Sequence, residues 1–143
     1  MSLFEELDTH LRALTEYHEA MEFRRAAAET RAIWAAGNQY LQRAAPWSAI
    51  GTDAPAAACS LRTALNLACL AARISAPFLP QTAQSILEAF GVADRPLRWP
   101  AAAAAELLDE LPRGSPVEHL PLLFRRIEDA EITDWSARFG AAE

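Results

Sequence analysis

The spacing of apolar residues predicts a first helix over about the first 20 residues. The leucines of this segment recur at intervals of three and four and would share one side of that helix: Leu3, Leu7, Leu11 and Leu14. Ser2 and Glu5 have the spacing of a capping box at its start. The side opposite the leucines is acidic.

A second stripe of small and apolar residues predicts a long helix from Phe23 to about Ala45. Its members follow steps of three and four: Phe23, Ala27, Thr30, Trp34, Gly37, Leu41 and Ala44. The helix must end before Pro46, because proline disfavours helical dihedral angles in the residue that precedes it.

A third helix is expected from Asp53 to about Ala76. Asp53 is a suitable cap and Pro55 a suitable first-turn residue. We expect its buried stripe to be Leu61, Leu65, Ala68 and Ala72. A different, more polar face carries Arg62, Asn66, Cys69 and Arg73.

Shorter helices complete the predicted architecture. Gln81 to Phe90 forms a fourth helix that Gly91 closes in a left-handed conformation, after the prolines at 77 and 80. Residues 92–100 form a loop, residues 101–111 a short alanine-rich helix, and residues 112–121 another loop. A last helix runs from Glu128 to Phe139 and ends at Gly140. The fold class is therefore all-α, a bundle of about five helices in one domain, residues 1–143.

Composition excludes several kinds of active site. All 13 basic residues are arginine, so Schiff bases and lysine-containing phosphate loops are impossible. The three histidines lack zinc-site spacing, and Ser115 lacks the second glycine of a nucleophile elbow. We therefore expect no metal and no cofactor in this chain, and we expect that the chain alone is not an enzyme.

Charge is distributed unevenly along the chain. The net charge is −6, which argues against a protein that coats nucleic acid non-specifically. Residues 22–80, however, hold six arginines against three acidic residues. This middle stretch is the part of the chain that would tolerate an RNA backbone.

The cysteines and the hydropathy of the chain indicate in which cellular compartment the protein is expected. Cys59 and Cys69 lie ten residues apart in one predicted helix, about 15 Å along its axis, and so cannot pair. We expect both thiols to fill the core. Without a signal peptide or an apolar run approaching about 20 residues, the expected location is the cytoplasm, with no membrane partner.

Several short blocks resemble the anticodon-binding domain of methionyl-tRNA synthetases. In order along the chain, the blocks are Phe23-Arg24-Arg25-Ala26-Ala27, Ile33-Trp34-Ala35-Ala36-Gly37-Asn38-Gln39-Tyr40-Leu41, Ala45-Pro46-Trp47, Thr52-Asp53, Leu65-Asn66-Leu67, Ala76-Pro77-Phe78-Leu79-Pro80-Gln81-Thr82-Ala83 and Leu123-Phe124-Arg125-Arg126-Ile127-Glu128. In that family a long helix carries Asn-x-Tyr and ends in Pro-Trp. The resemblance covers nearly the whole chain.

The resemblance implies that the partner is the anticodon loop of methionine tRNA. It also implies a catalytic domain, outside this chain, that uses ATP to activate methionine. Within the Pro46-Trp47 pair, the family assigns the tryptophan to a contact with the first anticodon base, which suits the way proteins stack on unpaired RNA bases. Without the resemblance, Trp47 would be interpreted as a helix-end residue that closes the core.

Two more residues are candidates for RNA contact. Asn38 would lie on the same face as Arg31 and Gln42 and could line an RNA groove. We favour a structural role, a hydrogen bond to a neighbouring helix or to the turn after Pro46. Arg43 is a candidate phosphate contact, and its alternative is a solvated arginine at a helix end.

The chain also departs from the family pattern. A preceding helix with an asparagine and an arginine that contact the anticodon is missing, and Ile50-Gly51 replaces the usual lysine before Thr52-Asp53. The catalytic signatures His-Ile-Gly-His and Lys-Met-Ser-Lys-Ser are also missing. We therefore expect a piece of a synthetase with exposed apolar surface that self-associates. The alternative is a free-standing helical protein-interaction domain without RNA binding.

Overall fold

The computed structural model describes residues 2–93, 98–101 and 103–140, and these residues form helices and connecting segments without a β-strand. The helices in chain order are α1 (Leu3–Glu19), α2 (Phe23–Ala44), α3 (Pro46–Ala49), α4 (Ala54–Ser75), α5 (Pro80–Ala89), α6 (Ala104–Leu107) and α7 (Asp129–Phe139). The predicted all-α fold class is confirmed. The single turn α3 was not predicted.

The core lies between α1, α2 and α4. α1 packs against α2, α2 against α4, and α4 also contacts α3 and α5. The largest cluster of buried residues comprises Leu7, Leu11, Leu14, Ala26, Ile33, Ala36, Leu67, Leu70, Ile74, Ala104 and Leu108. A second cluster, between α4, α5 and the segment after α6, comprises Cys69, Ala72, Leu87, Ala89, Phe90 and Leu111.

The predicted helix caps are confirmed. The Ser2 backbone N–H donates to the Glu5 carboxylate at 2.7 Å, and the Glu5 N–H donates to the Ser2 hydroxyl at 3.3 Å. Asp53 accepts the Ala56 N–H at 3.0 Å. Gly91 follows α5 with φ +70°, a left-handed conformation that glycine adopts without a side-chain penalty. Local chemistry therefore sets where these helices begin and end.

The stripe of small and apolar residues that predicted α2 is not the buried face of the helix. Its buried residues are Ala26, Thr30, Ile33 and Ala36, whereas Phe23 is 57% exposed and Trp34 is also exposed. Only Thr30 belongs to both sets. Alanines occur on every side of this helix, so spacing does not select one face. The tightly packed contacts with α1 and α4 favour the side with the smaller residues.

The predicted faces of α4 were correct only in part. Ala72 is buried as expected, and Leu65 and Ala68 are half-buried. Asn66, Cys69 and Arg73 are buried, whereas Leu61, expected in the core, is 43% exposed. The polar side chains are buried because the segment after α6 offers them partners. A helix was predicted over residues 101–111, but in the structure only Ala104–Leu107 is helical, and the residues after it form this segment. Residue 102 and residues 94–97 of the neighbouring loop lie outside the described residues.

Polar contacts join α4 to residues 109–111. The Asn66 carbonyl oxygen accepts the Leu111 N–H at 2.8 Å, and its amide donates to the Arg62 carbonyl oxygen at 3.0 Å. Arg62 donates from Nε to the Leu111 carbonyl oxygen at 3.0 Å and pairs with Asp109. Two turns after Asn66, α4 carries the ion pair between Arg73 and Glu110. These bonds satisfy groups that would otherwise be buried without partners.

The cysteines differ in their surroundings. Cys69 is buried, and burial, followed by the nearby Glu110 carboxylate, raises the pKa of its thiol to about 12. Cys59 is exposed, so the expectation that both thiols fill the core was wrong for Cys59. One face of α4 near its N-terminus remains uncovered by other helices.

α4 also meets the length and hydropathy criteria of a membrane-spanning helix, with a mean hydropathy of 1.2 over 18 residues. The expectation of no apolar run approaching that length was therefore wrong. Length and composition alone do not separate such a span from the central helix of a bundle. α4 contacts three other helices and carries the buried Asn66 and Arg73, features of a central helix.

Candidate nucleic-acid interface

The junction between α2 and α3 contains a backbone reversal at Ala45. Ala45 has φ +38° and ψ +56°, the left-handed region, and its N–H donates to the Leu41 carbonyl oxygen at 3.0 Å. Pro46 follows, and a proline disfavours the right-handed helical region in the residue before it. The left-handed residue ends α2 and turns the chain sharply before Pro46.

Pro46 anchors the start of α3. Its side chain is fully buried and α3 packs against α4. The Ser48 N–H donates to the Ala45 carbonyl oxygen at 2.9 Å, and the Ile50 N–H donates to that of Pro46 at 3.1 Å. The proline therefore follows the end of one helix and begins the next helical turn. The residue after it, Trp47, is held in this ordered turn and not in an extended loop.

Trp47 projects from this anchored turn. It is the second residue of α3, and 55% of its surface is exposed. The prediction that Trp47 is at least partly exposed is confirmed, and the alternative of a tryptophan closing the core is not supported. A large indole held on a short packed turn is a rigid surface on which a flat ring can stack.

Asn38 and Arg43 are both exposed on α2, but they do not share one face. Residues five apart differ by about 140° around a helix. Among the described residues the Asn38 amide has no hydrogen-bond partner, so the hydrogen bond to a neighbouring helix that we favoured is not observed. Arg43 donates from Nε to the Gln39 carbonyl oxygen at 3.3 Å. Arg43 lies four residues before Trp47, and Asn38 borders a groove.

That groove is apolar and lies between α2, α4 and α5, with a volume of about 410 Å³. Small residues such as Gly37, Ala68 and Ala71 form much of its lining, with Trp34 and Ile86 among the larger side chains around them. The sequence did not predict this groove, because the spacing of apolar residues on one helix does not show which neighbouring helices leave a gap beside it. The hydroxyl of Thr82 and the Asn38 amide are among the few polar groups along it.

The positive charge of residues 22–80 is concentrated on α2. Arg62 and Arg73 form ion pairs with residues 109 and 110, and Arg25 pairs with Glu22 at 2.7 Å. The remaining arginines of this stretch, Arg24, Arg31 and Arg43, are exposed, and within the described part of the chain they form no ion pair. These exposed positive charges would attract an anion, such as an RNA phosphate, to α2.

Metal binding is not indicated by these side chains. Among the described residues no group of three or more histidine, cysteine, aspartate or glutamate residues is placed to hold a metal ion. The lowered pKa of the surface residue Glu131, about 2, has a different cause. Arg125 donates two hydrogen bonds to the Glu131 carboxylate and stabilises its charged form. This pair lies at the start of α7.

Comparison with known proteins decides the family. The model of the anticodon binding domain of methionyl tRNA ligase matches residues 1–143. The chain belongs to this family. The resemblance seen in the sequence blocks is therefore confirmed.

Individual relatives agree with the family match. The methionine-tRNA ligase of Caulobacter vibrioides (strain NA1000 / CB15N) is 49% identical over 141 residues, which cover 99% of this chain and 25% of the relative. That of Maricaulis maris (strain MCS10) is 49% identical over 138 residues, covering 96% and 24%. That of Streptomyces avermitilis is 39% identical over 140 residues, covering 98% and 24%. The chain spans about a quarter of the length of these relatives. No solved structure matches the chain.

Proposed function

We propose that this chain recognises the anticodon loop of methionine tRNA as one domain, residues 1–143, of a longer methionine-tRNA ligase. The observation that carries the proposal is the exposed Trp47 on its anchored turn, in a chain that matches the anticodon-binding family throughout. Single-stranded loops are the usual targets of sequence-specific RNA recognition, by stacking and by hydrogen bonds to base edges. The free-standing interaction domain is not favoured by the family match.

Each candidate residue has a separate role in this proposal. Trp47 stacks on a loop base, and the buried Pro46 holds the turn that presents it. Arg43 contacts a loop phosphate close to that base, and Asn38 offers its unpaired amide to a base edge or to the sugar-phosphate backbone. The exposed arginines of α2 favour approach of the RNA from this side.

The chemistry of ligation belongs to the rest of the longer protein. The catalytic domain binds ATP and methionine and transfers the amino acid, in the cytoplasm, while this domain selects the tRNA. If this domain binds only tRNA with the correct anticodon tightly, the ligase gains specificity for its tRNA. No reacting group is then needed in this bundle.

Anticodon selectivity is expected in the isolated chain. A fluorescently labelled stem–loop with the methionine anticodon CAU should bind about tenfold more tightly than the same stem with a different anticodon, since one lost base contact is worth about 1.4 kcal/mol. Fluorescence anisotropy measures both dissociation constants at the same salt concentration. Equal affinity for the two loops would contradict anticodon recognition by this chain.

The C-terminal helix is the proposed self-association surface. Ile132, Trp135 and Phe139 are all exposed and recur at helical spacing, and none of the residues of α7 is buried. An apolar helix face of this kind is commonly covered by another protein surface.

Self-association is expected to depend on this face. Sedimentation equilibrium should show a monomer–dimer equilibrium that weakens when Trp135 and Phe139 are both changed to serine, because the change removes apolar area from the contact. The exposed Phe23, changed to serine, is the matched control on another helix. A strictly monomeric unsubstituted chain at high concentration would rule the association out.

A further inference from the structure

A second large apolar side chain stands beside Trp47. Ile50 is 64% exposed, more than Trp47 itself, and it belongs to neither cluster of buried residues. Single exposed apolar residues are common and need no explanation by themselves. This residue differs because of its position on the short helical turn that presents Trp47.

The backbone places Ile50 and Trp47 on the same side of α3. Ile50 has φ −59° and ψ −30°, and its N–H donates to the Pro46 carbonyl oxygen at 3.1 Å, so the helical path continues through it. Residues three apart on such a path are neighbours, with Cβ atoms about 5–6 Å apart. The indole and the branched aliphatic chain therefore form one continuous apolar surface, which we call the Trp47–Ile50 platform.

Gly51 leaves space beside this platform. A Cβ atom placed on Gly51 would have no other atom within 4 Å, and the residue does not have a positive φ. Gly51 directly follows Ile50, in the turn that connects α3 to α4. A flat group that lies on the platform would thus meet no side chain from this position.

No charged residue lies between Arg43 and Asp53 in the segment that carries the platform. The nearest charged residues along the chain are Arg43 and Asp53, and the Asp53 carboxylate already caps α4 by accepting the Ala56 N–H at 3.0 Å. An occupant is therefore held there by apolar contact, with one exposed arginine close by for a negative group. An unpaired nucleobase with its phosphate has these properties. Two side chains cover too little area for a stable contact with a folded protein.

We propose that Ile50 is a second base-contacting residue, which extends the stacking surface of Trp47 and makes this part of RNA recognition apolar rather than ionic. The inference rests on the proposed function, since it names a further residue of the same RNA-binding surface. Ile50 contacts the edge of the base that stacks on Trp47, or the face of the next base. Binding at this point is then only weakly dependent on salt, because no counterion is released when an uncharged side chain is covered.

The test measures the affinity and salt dependence of the 143-residue chain for the labelled methionine-anticodon stem–loop. Ile50→Ala is expected to weaken binding about fivefold at every salt concentration, since each covered CH₂ group contributes about 0.8 kcal/mol and the side chain is partly covered. Ile50→Leu should restore most of the affinity. Ile50→Lys should steepen the plot of log K against log salt by about 0.7, the value for one added phosphate contact on single-stranded RNA. Ile127→Ala, an exposed isoleucine outside the helices, is the matched control.

The outcomes separate this inference from the proposed function. If Trp47→Ala weakens binding while Ile50→Ala leaves it unchanged, the platform is wrong and RNA recognition stands. An unchanged salt slope in Ile50→Lys also overturns the platform. A change of sedimentation coefficient in Ile50→Ala without a change in RNA affinity would assign Ile50 to a protein contact instead. If the unsubstituted chain binds no stem–loop at all, both proposals fail together.

Discussion

Changing Trp47 to alanine is expected to reduce aminoacylation of methionine tRNA by about tenfold to a hundredfold in kcat/KM. The variant would be made in the longer ligase that contains this domain, because the reaction needs the catalytic domain. One base–aromatic stack is worth about 1–3 kcal/mol, which corresponds to this range of rates when it is lost from the transition state. Activation of methionine by ATP should be unaffected, since it precedes the encounter with tRNA.

The comparison of the two reactions identifies the cause of the loss. ATP–pyrophosphate exchange measures activation, and transfer to tRNA measures the whole reaction. Trp47→Phe should retain most of the activity because it keeps a stacking ring. Phe4→Ala removes another exposed aromatic side chain, on α1, and should leave both reactions unchanged. Full aminoacylation by a stably folded Trp47→Ala enzyme would contradict anticodon recognition through this residue.

The main element of the candidate site could be predicted from the sequence. Proline disfavours a helical conformation in the residue before it, so the end of α2 follows from a local rule. The contact role of Trp47 came from the family resemblance, since local reasoning alone favoured a tryptophan that closes the core. The anchored turn did not follow, because the burial of Pro46 depends on contacts between α3 and α4. Ile50 was missed for the same reason, since it was assigned to a loop in which a side chain has no defined neighbours.

The same division between local and tertiary information holds for the fold. The caps at Ser2, Asp53 and Gly91 were predicted because each depends on residues within one turn. The buried faces of α2 and α4 were not. α2 is rich in alanine on all sides. The buried Asn66 and Arg73 of α4 are recognisable only together with their hydrogen-bond partners, which lie 45 and 37 positions further along the chain.

Arg73 shows most clearly why this distant segment matters. The residue is 7% exposed, and it donates from Nε to the Glu110 carboxylate at 3.2 Å and from a terminal nitrogen to the Val92 carbonyl oxygen at 2.9 Å. It thus connects α4 to the chain after α5 and to the chain after α6. Removing one member of a buried ion pair leaves the other charge without compensation, which is far more costly than losing an exposed pair.

Changing Arg73 to methionine is therefore expected to lower the free energy of unfolding by about 3 kcal/mol, at the lower end of the range for breaking a buried pair, because Glu110 keeps some access to water. This is a large share of the stability of a typical domain. Urea unfolding measures the loss. Arg138→Met, which removes an exposed pair with Asp134 at 3.4 Å, is the control and should change stability little. The double variant Arg73→Met, Glu110→Gln should recover part of the loss, because the Glu110 carboxylate is then no longer left without its cation.

The thiol of Cys69 gives an independent measure in a Cys59→Ser background. Burial raises the pKa of this thiol to about 12, so at pH 8 it is protonated as well as enclosed and reacts only when the structure opens. Arg73 lowers that pKa and Glu110 raises it, so removing Arg73 makes the native thiol still less reactive. Faster labelling of Cys69 in Arg73→Met, by about a hundredfold for a loss near 3 kcal/mol, therefore reports opening rather than activation of the thiol. Unchanged labelling, together with unchanged urea unfolding, would show that the ion pair does not hold these segments together.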